Sequence, residues 1–162
     1  MKIKINHLIT LSKRAEKHFR NGKKNKWNNK YPSSHSKFNG IFYVDNNTYL
    51  TKSYWFFEIK GEIKDDRLIL AEKQSTSNLF IQFWKDNLDE VELNEENIIE
   101  KDGYLTIKFE KSYFDAELLF KDVLPMFKNP KFYINKDKKM QNLQIVEDKI
   151  RCIVCPLREK RK

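Results

Sequence analysis

The sequence predicts an α+β protein in which two strand–helix–strand–strand–strand units form one domain, with an acidic, β-rich segment inserted between them. Three observations predict this. Between 104 and 109, Tyr104, Thr106 and Lys108 alternate with Leu105, Ile107 and Phe109, the period of two of a strand with one buried face. From 112 to 127 the period changes: Phe114, Leu118, Leu119, Val123, Leu124 and Phe127 recur at helical spacings, with Asp115, Glu117, Lys121 and Asp122 on the other side. The same succession of elements is legible at the front of the chain, across 2–59.

Taken in order, Lys2 and Lys4 alternate with Ile3 and Ile5, which reads as a short first strand. Asn6 is placed to cap a following helix, its side-chain oxygen reaching a free amide one turn on. Leu8, Leu11, Ala15 and Phe19 form the apolar stripe of that helix and Ile9 widens it, while Lys13, Arg14, Lys17 and Arg20 take the opposite surface. Asn21 and Gly22 make a good C-terminal stop. The polar loop 23–37 interleaves Lys23, Lys24, Lys26 and Lys30 with Trp27 and Tyr31. Cations neutralise phosphate and aromatic faces stack on unpaired bases, so this composition suits a nucleic-acid-binding loop; a surface loop with its aromatics folded inward is the plainer alternative. Strands follow over 38–44 and 49–59, joined by Asp45, Asn46 and Asn47, with room for a third strand in the aromatic run Tyr54, Trp55, Phe56 and Phe57.

The segment 61–100 differs in character. Ile63 and 68–70 suggest strand pieces, and 79–84 another. Asp86, Asp89, Glu90, Glu92, Glu95, Glu96 and Glu100 then form an acidic patch, either a solvated surface or a contact for a basic partner. In the back unit, Ser112 and Asp115 stand three apart as a capping box, and Pro125 ends the helix because it lacks an N–H. Strands at 132–134, 143–146 and 150–155 close the chain before a basic tail over 158–162.

A length of 162 residues suits a single domain with a real core, and an apolar content of 40% with only four glycines and four prolines argues against disorder. No apolar run is long enough to span a bilayer and the first residues are too polar for a signal peptide, so a cytoplasmic protein without a membrane partner is expected. The two cysteines, Cys152 and Cys155, fit reduced thiols. The net charge of +9 is unevenly spread: residues 1–37 carry +10, residues 38–127 carry −8 and residues 128–162 carry +7. Basic ends of this kind suit a polyanion, though a lysine-rich solvated surface has the same composition.

The search for chemistry is negative. His7, His18 and His35 lie in three unrelated contexts, and Cys152 and Cys155 have the spacing of half a zinc site with no second pair. The glycines at 22, 40, 61 and 103 are isolated, so no loop cradles phosphate. No catalytic activity, cofactor or metal is expected.

A strand–helix–three-strand unit used twice in one domain resembles the DNA sliding clamps, the processivity rings of replicative polymerases. The resemblance to the bacterial beta-clamp pattern is carried by 1–6 with the helix over 8–19, by 38–44 with its turn and 48–51, by 114–127, and by 132–136 through 150–158. It covers about two thirds of the chain and consists of apolar patterns and turns. It implies a non-enzymatic DNA-binding or replication-accessory protein, able to self-associate, whose helices meet the DNA backbone without reading sequence. Lys13, Arg14, Lys17 and Arg20 would be the lining cations; Lys23, Lys24, Lys26, Trp27 and Lys30 are the further nucleic-acid candidates, on the composition of their loop. The second helix departs from that pattern, because Asp115, Glu117 and Asp122 outnumber Lys121. The alternative expectation is a phage or mobile-element protein that binds and inhibits a host nucleoprotein machine, such as a Cas nuclease or replisome component. Its contacts would come from Tyr54 and Trp55, if that strand is exposed, or from Asp89, Glu90, Glu92, Glu95 and Glu96.

Overall fold

A computed structural model describes residues 2–23 and 40–158, in a mixed α+β arrangement of antiparallel strands and few helices. The chain divides into two compact units, Met1–Gln82 and Phe83–Lys162.

In the first unit, helix α1 (Ile5–Lys23) precedes an antiparallel meander of β1 (Ile41–Val44), β2 (Asn47–Lys52) and β3 (Trp55–Lys60). The expected first strand is absent: residues 2–4 are irregular and helix begins at Ile5. Ile5 already belongs to the helical series with Leu8 and Ile9, and a strand exists only where a neighbour supplies its ladder. Asn6 therefore lies inside the first turn rather than capping it, and its carbonyl accepts the Thr10 hydroxyl at 3.1 Å. The apolar stripe Leu8, Ile9, Leu11, Ala15 and Phe19 is buried, and α1 packs on β2. Ser12, buried within that stripe, donates to the Ile9 carbonyl at 2.8 Å, so its hydroxyl is satisfied.

Asp45 and Asn46 both take positive φ, 51° and 63°, which is the primed hairpin turn that matches strand twist. The run 49–59 divides into two strands, and β3 is the third strand for which the aromatic run left room; the break falls at Ser53 and Tyr54, the two turn residues between the paired Lys52 and Trp55. The second expected run, 79–84, is instead the short helix α2 (Leu79–Phe83), where the Ile81 amide donates to the Asn78 side chain at 3.3 Å. Five apolar residues among the six of 79–84, interrupted by Gln82 alone, are too few to carry a period that separates strand from helix. Phe80 of α2 meets Tyr49 and Phe56 at ring separations of 6.1 and 5.2 Å, so β2 is covered. Residues 68–70 do not form a strand; they lie along the outer edge of β1, where the Ile41 amide donates to the Ile69 carbonyl at 2.8 Å. Gly40 permits this approach, because a Cβ there would stand 2.5 Å from the Ile69 oxygen.

In the second unit, β8 (Lys131–Ile134), β9 (Leu143–Glu147) and β10 (Ile150–Val154) form a second antiparallel meander, as the alternation predicts. The acidic segment is not a separate insertion. It supplies β4 (Asp89–Val91), which pairs with β8, then a 3-10 turn over Glu95–Asn97, then β5 (Ile98–Lys101). Strands β5, β6 (Tyr104–Phe109) and β7 (Ser112–Asp115) make a three-stranded antiparallel sheet.

The helix expected over 112–127 begins four residues late, at Ala116. Ser112 to Asp115 alternate buried and outward and pair with β6 across a tight turn, so the ladder takes the residues that helical spacing had claimed. Ser112 is no cap; its buried hydroxyl accepts the Gln141 amide at 2.9 Å. Asp115 caps instead, accepting the Leu118 amide at 3.2 Å. The helix passes from α3 (Ala116–Leu118) through a π segment (Leu119–Val123) to a 3-10 turn (Leu124–Met126) at Pro125. Leu119, Val123 and Met126 are buried, and Phe109, Phe114 and Phe132 form a stacked and edge-on aromatic core. Gln144, also buried, fastens the chain after α2 by donating to the Lys85 carbonyl and accepting its amide, at 2.8 and 2.7 Å.

Candidate functional site

Two surfaces stand out. The first is the outer face of α1. Burying one side of an amphipathic helix turns the other side to solvent, and Lys13 and Lys17, four residues apart, are both exposed in one row. Arg14 and His18 form the adjacent row and are half-buried. Arg20 and Lys23 belong to the last turns of α1, with side chains outside the described residues. Lys24, Lys26, Trp27 and Lys30 also lie outside the described residues.

The β2–β3 turn abuts this helix. His18 Nε2 and Ser53 Oγ are 3.0 Å apart, and the His18 ring lies 5.9 Å from the Tyr54 ring at 59°. Tyr54 is 52% exposed, as the partner-contact expectation requires. Trp55 is not: at 1% exposure it is a core residue, packed edge-on against Phe57 at 5.3 Å, and its assignment to a contact surface is corrected. The two neighbours point opposite ways because Trp55 is the first strand residue after the turn, where the pleat sends it inward.

The carboxylates Asp89, Glu90, Glu92, Glu95 and Glu96 are all exposed. They are spread over an edge strand, a connection and a 3-10 turn rather than gathered in one pocket.

The second surface was not legible in the sequence. A groove of about 310 Å³ opens on the β5–β7 sheet, with Tyr104, Leu105, Tyr113 and Leu157 as its apolar lining and Lys101 and Arg158 among its charged residues. Tyr104, Leu105 and Leu157 are exposed, at 72%, 57% and 39%. The chain after β10 is held there by the Leu157 amide, which donates to the Tyr113 carbonyl at 2.7 Å. Lys101 Nζ sits 3.5 Å above the Tyr113 ring. Leu105 belongs to the alternation that marks β6, but only tertiary contacts decide which side of a thin sheet stays open.

Among the described residues, no group of three or more His, Cys, Asp or Glu could hold a metal ion, and no helix is long and apolar enough to cross a membrane. Cys152 is buried and Cys155 exposed, and partial burial still pushes the Cys155 thiol pKa up. Comparison with protein-family models, curated proteins and solved structures finds no match to this chain.

Proposed function

We propose that this protein is a non-enzymatic, clamp-like nucleic-acid-binding or replication-accessory protein that contacts the phosphate backbone through α1. One observation carries the reading: the apolar stripe of α1 is buried, which turns Lys13 and Lys17 outward on a helix with Glu16 as its single acidic residue. Cations so held release counterions from a phosphate backbone and carry no base information. The clamp-like part rests on a repeated order, since a helix followed by a three-stranded antiparallel meander occurs as α1 with β1–β3 and as 116–126 with β8–β10.

The test is charge reversal at Lys13, Arg14, Lys17 and Arg20, read by fluorescence anisotropy on duplex DNA at several salt concentrations. The wild type is expected to bind with a log–log salt slope of about −0.9 for each phosphate neutralised. The reversed variant is expected to lose binding. Unchanged binding by that variant sinks the role of α1.

A second reading is favoured by the groove on β5–β7, which exposes Tyr104, Leu105 and Leu157 together. Apolar surface gathered in one place marks protein contact sites. On this reading the protein, encoded by a phage or mobile element, inhibits a host nucleoprotein machine through that groove. Light scattering with and without DNA separates the two: a monomer indifferent to DNA at low salt favours the second.

A further inference from the structure

The aromatic side chain next to the cationic face of α1 bears on which nucleic acid that face takes. Tyr54 stands in a two-residue turn, half out of the protein, with one flank of its ring against His18. His18 is itself fixed by Ser53 Oγ, and the Tyr54 amide donates to the Lys52 carbonyl, so the turn holds the ring at the helix surface. Lys17 precedes His18 in sequence, and Arg14 lies one turn back on the His18 row. An exposed ring against His18, on the helical row next to that of Lys13 and Lys17, has the two components of a single-strand site, a stacking face and a track for the backbone. Duplex offers no unpaired base to such a ring, so the cations alone would act on it.

Resting on the backbone-contact reading of α1, we propose that this surface takes single-stranded nucleic acid, with Tyr54 as the residue on which an unpaired base stacks. Stacking tolerates any base, so the site is indifferent to sequence. Its affinity divides into a salt-dependent part from Lys13 and Lys17 and a salt-independent part from Tyr54.

The experiment titrates the full chain against an oligothymidylate of about 16 nucleotides and a duplex of equal length, by anisotropy at two salt concentrations. The wild type is expected to prefer the single strand. Tyr54→Ala is expected to weaken single-strand binding about tenfold, within the range for loss of one base–aromatic stack, while leaving duplex affinity and the salt slope unchanged. Tyr54→Phe, which keeps the ring face, is expected to bind as the wild type does. Circular dichroism of both variants checks that the turn substitution leaves the fold intact. If Tyr54→Ala binds the single strand normally, or weakens both ligands equally, the stacking role is overturned while the backbone reading of α1 stands. If the wild type binds neither nucleic acid at low salt, both fall together.

Discussion

Helix α1 and the helical segment 116–126 each lead into a three-stranded antiparallel meander, yet they are built to different ends. The first is an uninterrupted 19-residue α-helix with a single acidic residue. The second passes through α, π and 3-10 geometry in eleven residues, starts on an acidic cap and buries Asp122 to 5% exposure. Its exposed face carries Glu117 paired with Lys121 at 2.7 Å, an ion pair that neutralises its own cation and holds the Glu117 carboxyl below the usual range. What the two share is a buried apolar side; what separates them is the charge left outside. A common packing plan therefore does not entail a common surface: of these two segments, α1 turns Lys13 and Lys17 to solvent, while the other presents a Glu117–Lys121 pair.

The shared part of this comparison is tested by the largest effect. Leu11→Ala in α1 and Leu119→Ala in the second segment both remove a side chain with no exposed surface, and each should cost about 2–5 kcal/mol in urea unfolding. A loss below about 1 kcal/mol at Leu119 would break the parallel. The caps should differ next: Asp115→Ala is expected to cost about 1 kcal/mol, because its carboxylate holds the Leu118 amide. Asn6→Ala, inside the first turn of α1, should stay within about 0.5 kcal/mol.

Burial, together with its hydrogen bond to Glu58 at 2.8 Å, pushes the Tyr49 phenol up to about 12. The unfolded chain ionises tyrosine near about 10. The raised group thus contributes stability that is full below about pH 10 and is lost as pH climbs through about 12. Tyr49→Phe should be less stable than the wild type at neutral pH, and the difference should shrink across that alkaline window in chemical denaturation. The smallest effect sharpens the contrast in charge: Lys121→Glu should leave nucleic-acid affinity unchanged by anisotropy, whereas reversing Lys13 and Lys17 should not.

Much of this was legible in the residues. The stripe from Leu8 to Phe19, the strands β6, β8, β9 and β10, and the turn at Asp45 and Asn46 lie where periodicity and turn chemistry put them. The errors share one cause. At 2–5, 79–84 and 112–115 the segments are too short for a period to decide between helix and strand, and the outcome depended on whether a neighbouring strand was available. The correction at Trp55 has a related origin, since the place of the Ser53–Tyr54 turn decides that the next residue, Trp55, faces the core.

By itself, then, the sequence determined the amphipathic character of α1, the antiparallel meanders and the uneven distribution of charge, because these follow from local spacing and composition. Tertiary structure alone decided that residues 112–115 join β6, that Tyr54 stands beside His18, and that Leu105 and Leu157 share an open groove. Pairing and burial are set by residues distant in the chain, and no local pattern records which surface a distant neighbour will leave uncovered.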